Sequence, residues 1–357
     1  MTKSSGALFV VAAGNNGEQG NQTIGSPGAA DAALTVGAVD RDDSLAPFSS
    51  RGPRPTDRVA KPEITAPGVG IVAARAAGTS MGAPVDANYT AADGTSMAAP
   101  HVAGAAALLA QRHPDWSGQR IKAALTAHAK PSSAYSVYQQ GNGRVDVPAA
   151  LDPALELSGT ADFGQVEWHP GTYDKETRTV TVTNTTDTAT TVTPAIGGNI
   201  PQGTVTVPEP VEVAAGASAE ITVTLDPNLA PTGLTNGTLT LTSSSGATAH
   251  TAISLDKQPE QHKLTVHFKD RKGQTPSSFL YALTALSAHD FNGLKFGSGY
   301  NSGTAEVSLP VGRYSMMGLV YTQSSGDNFT NYALDLFALP TIDLTSHDAE
   351  LTVDGTT

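Results

Sequence analysis

Ser96 is the residue whose neighbours best equip it to attack an electrophile. It lies in the string Gly94-Thr95-Ser96-Met97-Ala98-Ala99-Pro100-His101-Val102-Ala103-Gly104. Gly94 permits a turn that a side chain would obstruct. From Ala98 to Ala110 the chain is almost wholly small and apolar, which predicts a helix buried on all sides. Pro100 is compatible with a helix start, because the first N–H groups have no intrahelical partner. Ser96 therefore falls where unpaired N–H groups and the positive helix end favour negative charge. A serine there can attack a carbonyl while its own N–H helps hold the oxyanion. A lone serine before a helix is most simply an N-cap; the long specific string is what sets Ser96 apart. Gly78-Thr79-Ser80-Met81 repeats the first four residues, but no apolar helical run follows, so Ser80 reads as loop.

The elements that would position Ser96 are short buried strands. Ala7 to Ala13 is a continuous apolar run between Gly6 and Gly14, and Ala33 to Val39 is another. Such runs suit a parallel sheet flanked by helices. Asn15-Asn16-Gly17 after the first run is a turn signal. His113-Pro114-Asp115-Trp116 reads as a turn, and Ser117 as the cap of a second helix carrying Ile121, Ala124, Leu125 and His128 at helical spacing. Val69 to Ala92 reads as a long loop.

The string around Ser96 resembles the nucleophile signature of the subtilisin-like serine peptidases, the subtilases. The resemblance implies a Ser-His-Asp hydrolase acting on protein or peptide substrates, with Ser96 as nucleophile. Ala12-Ala13-Gly14-Asn15 resembles the family segment whose asparagine amide completes the oxyanion hole. It implies that role for Asn15, with Ala13 and Gly14 beside the substrate. Gly25-Ser26-Pro27-Gly28 resembles a wall of the specificity pocket, giving Gly25 and Ser26 as substrate-binding candidates; a turn between strands fits the same residues. Phe48 to Pro53, Lys61 to Gly68, Gly141 to Asp146 and Pro148 to Leu151 resemble further family segments in the expected order. The likeness covers residues 1–151 and ends there.

The family triad runs Asp, His, Ser along the chain, yet no histidine precedes Ser96; His101 is the first and matches a structural position. None of Asp31, Asp40, Asp42, Asp43, Asp57, Asp86 or Asp93 sits in the segment expected for the triad carboxylate. The chain thus reads as the C-terminal half of a subtilase catalytic domain, with Met1 internal to a longer protein and Met1 to Gly6 the tail of a preceding helix. On this reading the chain alone has trace peptidase activity at most. An alternative is a non-catalytic secreted protein whose later domains do the binding; a third is a separate chain supplying the missing half.

After Pro153 the pattern changes to period-two alternation, as in Arg178 to Thr183, Val211 to Val213, Glu220 to Leu225 and Thr238 to Leu241, with turns at Asn236-Gly237 and Ala214 to Gly216. Residues 156–257 resemble the fibronectin-III or immunoglobulin-like β-sandwiches that follow many secreted bacterial subtilases. Residues 260–357, from His262 to Phe268 and Thr304 to Tyr314, resemble a transthyretin-like, carboxypeptidase-regulatory sandwich. The expected fold is therefore multidomain: a truncated α/β parallel-sheet domain followed by two antiparallel β-sandwiches, whose partner would be a cell-wall or protein ligand.

Composition bounds the rest. The chain has 357 residues and no cysteine, which excludes disulfides and thiolate metal sites. Residues 1–150 hold 12 Lys+Arg against 11 Asp+Glu, and residues 151–357 hold 9 against 22. An acidic second half argues against nucleic acid. No apolar run is long enough for a membrane span, and the first residues do not read as a signal peptide; an extracellular location comes from the resemblance only. His262 and His267 fall on opposite faces of a strand, so no metal is expected with Asp270. His289-Asp290 reads as loop. No cofactor is expected; calcium occurs in the family, without an assignable site here.

Overall fold

The computed structural model describes residues 6–288, 294–323 and 332–356. Residues 1–5, where the preceding helix was expected to end, and the loop expected at His289-Asp290 lie outside these described residues. The chain divides into two compact units, Met1–Val166 with Thr172–Lys257, and Gln258–Thr357 with Glu167–Gly171.

The first unit begins with three parallel strands in the order β1 (Val10–Ala12), β2 (Leu34–Val39) and β3 (Ile64–Pro67). Val10 pairs with Leu34 and Val36 with Ile64. Two helices follow, α1 (Thr95–Arg112) and α2 (Gly118–Ala127). Ser117 caps α2 by accepting the Arg120 N–H at 3.2 Å. Ala98, Val102, Ala105 and Leu109 recur at helical spacing on one face of α1 and join Leu34, Val36 and Ile64 in a common core. All six residues of β2 are buried.

The opposite face of α1 corrects the expectation of an all-round buried helix. Ala103, Ala107 and Ala110 are exposed, and Leu108 is 51% exposed. The first strand is likewise shorter than Ala7 to Ala13 and only half-buried, with Phe9 43% exposed. Among the described residues the outer edge of β1 is unpaired, since its sheet ends there. The segment from Val69 to Ala92 is not a plain loop. It contains β4 (Ile71–Ala74), β5 (Ala83–Pro84) and β6 (Tyr89–Ala92), ordered β4-β6-β5. Two short helices, α3 (Val137–Gln140) and α4 (Val147–Leu151), close this region.

Nine strands complete the unit: β7 (Leu155–Gly159), β8 (Ala161–Val166), β9 (Glu176–Asn184), β10 (Thr190–Gly198), β11 (Val205–Thr206), β12 (Val211–Val213), β13 (Ser218–Leu225), β14 (Gly233–Ser243) and β15 (Thr248–Lys257). They form a five-stranded sheet, β12-β10-β14-β15-β8, and a four-stranded sheet, β11-β13-β9-β7, around one apolar core. Val180, Val182, Ile221 and Val223 line it from one sheet, Leu239, Leu241 and Ile253 from the other. Two expectations change here. Asn236-Gly237 is not a turn but lies inside β14, where the Asn236 side chain accepts the Val137 N–H at 3.3 Å. The pairing is mixed, because β8 runs parallel to β15.

The second unit has a three-stranded sheet, β19-β16-β22, and a four-stranded sheet, β18-β17-β20-β21. The strands are β16 (Gln261–Lys269), β17 (Ser278–Ala285), β18 (Leu294–Tyr300), β19 (Thr304–Pro310), β20 (Gly312–Gln323), β21 (Tyr332–Leu344) and β22 (Ala349–Asp354). Again one pair, β16 with β22, is parallel. Phe268 of β16 stacks on Phe279 of β17 with ring centroids 4.1 Å apart, at the centre of this unit's core. The Thr304 to Tyr314 run divides between β19 and β20.

Candidate active site

The loop entering α1 is held from three sides. The Gly94 N–H donates to the Gly68 carbonyl at 2.8 Å, and the Gly68 N–H to the Val39 carbonyl at 2.9 Å. The ends of β2 and β3 thereby fix the start of the helix. Gly68 has no room for a side chain: a Cβ there would lie 2.7 Å from the Ala38 Cβ and 2.8 Å from the Gly94 carbonyl oxygen. Gly94 itself has φ 152, a conformation that favours glycine. Behind this, the Lys61 ammonium, fully buried, donates to the Ala33 carbonyl at 3.1 Å, the Thr35 hydroxyl at 3.1 Å and Glu63 Oε1 at 2.5 Å. It ties β2 to the approach of β3.

Ser96 is exposed at the second position of α1. Among the described residues neither its N–H nor its hydroxyl has a hydrogen-bond partner. Asn15 is exposed just past β1, and its orientation is set by Thr95. The Thr95 backbone N–H donates to Asn15 Oδ1 at 3.0 Å, and the Thr95 hydroxyl donates to the same oxygen at 2.9 Å. A backbone N–H can only donate, so the atom facing it is the amide oxygen and Nδ2 faces away. A Cβ on Gly94 would stand 3.4 Å from Asn15 Nδ2 and 3.7 Å from the Ser96 nitrogen. The space that glycine leaves open is thus shared by two N–H donors. Such a pocket can receive a developing oxyanion.

The remaining candidates gather behind Asn15. Ala13 is fully buried, and its carbonyl accepts the Gly25 N–H at 3.0 Å. Gly14 has φ +111, and a Cβ on it would approach Ser50 Oγ to 2.8 Å. Ser50 Oγ also accepts the Asn16 N–H at 3.1 Å. Gly25 is half-buried and Ser26 exposed. Ala13, Gly14, Asn15, Gly25 and Ser96 are therefore tied into one neighbourhood, with Ser26 at its margin. Ser80 stands apart, exposed in the excursion between β4 and β5 with no helix behind it. His101 turns its Nδ1–H back to the Met97 carbonyl at 2.8 Å, along its own helix. His113 donates to the Leu151 carbonyl at 2.7 Å and His128 to the Leu155 carbonyl at 3.0 Å. None of these imidazoles is hydrogen-bonded to Ser96. Thr95 and Ser50 were passed over in the sequence. Only the position of Thr95 beside the nucleophile could have drawn attention to it.

Residues 1–143 match the family model described as Peptidase_S8, the subtilase family. These residues are a subtilase segment. The segment is 38% identical over 148 residues to Subtilisin DY of Bacillus licheniformis, covering 41% of this chain and 47% of that protein. It is 41% identical over 134 residues to Serine protease AprX of Bacillus subtilis (strain 168), covering 34% of this chain and 30% of that one. The self-cleaved protease domain of PatA aligns with 30% identity and a TM-score of 0.34, over 42% of this chain and 51% of that one. The chain spans about half the length of Subtilisin DY or less in such relatives. No helix among the described residues is long and apolar enough to cross a membrane.

In the second unit, His262 shares the inward side of β16 with buried Leu264 and Val266, whereas His267 lies on the other side and meets Glu350 at 2.7 Å. Asp270 accepts the N–H groups of Lys272 and Gln274 at 2.8 and 2.9 Å, closing a turn.

Proposed function

We propose that the chain is part of a secreted serine endopeptidase of the subtilase family. Residues 1–151 would form the C-terminal part of the catalytic domain, 156–257 a fibronectin-III or immunoglobulin-like sandwich, and 260–357 a transthyretin-like one. The observation that carries this reading is the convergence of the Ser96 N–H and the Asn15 amide on the space beside Gly94. In the proposed reaction Ser96 Oγ attacks the peptide carbonyl carbon and gives its proton to an imidazole. The carbonyl oxygen takes up negative charge between the two donors. The C–N bond then breaks as the imidazole protonates the amine, and water hydrolyses the acyl-serine by the reverse proton route. Ala13, Gly14, Gly25 and Ser26 would border the bound peptide. The sandwiches would add contacts to a cell-wall or protein ligand. These steps call on no cofactor.

The imidazole and its orienting Asp would come from a segment upstream of these residues in the intact enzyme, in the family order Asp, His, Ser. Two features support this: no histidine precedes Ser96, and the outer face of α1 around Leu108 is apolar and open. An unassisted serine hydroxyl is a weak nucleophile at neutral pH. The test is peptide hydrolysis by this chain alone and after mixing with a polypeptide carrying subtilase Asp and His motifs. Trace activity alone, a gain on mixing, and loss of that gain in Ser96→Ala but not in Ser80→Ala are expected. Strong hydrolysis by the chain alone that vanishes in Ser96→Ala would sink the shared-site reading. Activity that survives Ser96→Ala would sink the choice of nucleophile.

A further inference from the structure

The four-stranded sheet of the second unit carries large apolar side chains on both sides. Its inner side packs on β16, β19 and β22 through Phe279, Tyr281, Leu283, Met316 and Val320. An antiparallel sheet with one covered face ordinarily turns polar residues outward. Here the outward rows, fixed by the pairing registers, read otherwise. Ala282 stands between Phe296 and Met317. Leu280 is followed across the sheet by Leu319 and Leu336. Ser278 stands between Tyr300 and Tyr321, with Leu334 beyond. Leu336 is 80% exposed, Tyr300 77%, Phe296 67% and Met317 62%.

The orientation of the edge strand β18 is enforced. Its inward positions Gly297 and Gly299 lie under Tyr281 and Phe279, where a Cβ would come within 2.2 and 2.4 Å of the rings. A one-residue slip would drive Phe296 into that space, so the large side chains must face out.

We infer that this outward face is an interface with a second copy of the same chain, the two sheets packing face to face about a two-fold axis. Leu280, Leu294, Phe296, Tyr300, Met317, Leu334 and Leu336 are each 42–80% exposed on it, a concentration of large apolar side chains on the scale of the ~800 Å² each partner contributes to a standard interface rather than of the singly scattered apolar residues of an ordinary surface. Across the rows from Ser278 to Thr284 no outward position is Asp, Glu, Lys or Arg; the charged pair Arg313–Asp343 lies beyond them at one end of the face. Homodimer interfaces have this uncharged, strongly apolar character. Aliphatic leucines outnumber flat rings, which disfavours a sugar-stacking platform. The acidic excess of residues 151–357 disfavours an anionic membrane. Two stacked sheets would bury the rows at the ~10 Å spacing of face-to-face packing. A two-fold axis near Leu280 and Met317 would set the tyrosine end of one copy over the Thr284–Ser315 end of the other.

Sedimentation velocity on the full 357-residue chain tests this. A concentration-dependent monomer–dimer equilibrium below about 100 µM is expected, with Leu336→Lys and Met317→Lys each weakening it by about 30-fold or more. Because the chain has no cysteine, Met317→Cys should give a disulfide-linked dimer on mild oxidation, while Thr222→Cys on an exposed strand of the other unit should not. Salt should strengthen the dimer by screening the repulsion of two acidic chains. A chain that stays monomeric at about 100 µM overturns the proposal. So does a dimer that both lysine variants leave intact and Met317→Cys fails to cross-link. Binding of the monomeric chain to insoluble polysaccharide or lipid vesicles, lost in Leu336→Lys, would also overturn it by giving the face another occupant.

Discussion

The Thr95 backbone N–H donates to Asn15 Oδ1 at 3.0 Å, and this bond decides where the other end of the amide points. With its oxygen engaged twice by Thr95, Asn15 has only its NH₂ to offer to the space beside Ser96.

A donor used mainly in the transition state should affect turnover more than binding. In the reconstituted peptidase, Asn15→Ala should lower kcat by ~10²–10³, the loss seen for a subtilisin oxyanion asparagine, with little change in KM. Thr95→Ala retains the backbone N–H to Asn15 and loses the hydroxyl's bonds to Asn15 Oδ1 and from the Gly14 N–H, so its loss should be smaller. Steady-state kinetics of the two variants separates these outcomes.

The open face of α1 yields a second test. Leu108 is 51% exposed and makes no essential core contact in this chain. Leu108→Lys should shift the chain's own unfolding free energy by no more than ~0.5 kcal/mol. The same change should reduce reconstituted activity at least tenfold, because a lysine would be buried under the docking segment. Urea unfolding and the mixing assay read the two effects.

Glu63 neutralises two ammonium groups, Lys61 at 2.5 Å and Lys122 at 2.6 Å, and accepts the Thr35 N–H at 2.7 Å. Burial already pulls Lys61 below its usual lysine value, with Glu63 opposing that shift. Glu63→Leu would strand a buried cation. It should cost ~3–5 kcal/mol of stability. Lys122→Met, at the more accessible end of the network, should cost less. Denaturant unfolding of the full chain compares them.

Acid should weaken the first unit through two histidines. Burial lowers His128 and His250 below the ordinary 6.5, and each donates to a carbonyl, Leu155 and Asn142 respectively. His250 and Glu156 are the charged or titratable groups acting on His128, in opposite directions. Below pH 6.5 the unfolded chain takes up protons that the folded imidazoles resist. Stability is therefore full above 6.5 and falls as pH drops through the lowered folded values. Asp162 works the other way: burial raises its carboxyl, so it favours the fold as pH falls toward 3.8. The difference in melting temperature between the native chain and His250→Gln, followed from pH 7.5 to 5, isolates the histidine contribution. It should shrink the acid-side slope.

Tyr138 ties α3 to the β14–β15 pair. Its hydroxyl donates to the Leu255 carbonyl at 3.0 Å, in a setting whose burial raises its pKa far above the tyrosine norm. Tyr138→Phe should cost ~0.5–1.5 kcal/mol without altering the fold. Thermal unfolding monitored in the far and near ultraviolet checks both parts.

Local chemistry made much of the site readable in the sequence. Gly94, Ser96 and the apolar run behind them specify a turn and a helix start by backbone freedom and hydrophobic burial, which act over a few residues. The period-two runs likewise announced strands, because alternation is a local property. Pairing across long separations was not readable. The orientation of Asn15 depends on Thr95, 80 positions away. The parallel neighbours β8 and β15 depend on which edges meet, and Asn236-Gly237 was drawn into a strand by partners on β10 and β15 that override its turn preference. The same holds for the two open apolar faces. A run of alanines and leucines states that surface should leave water, but only the tertiary arrangement shows which side of α1, and which side of the β17–β20 sheet, is left exposed among the described residues.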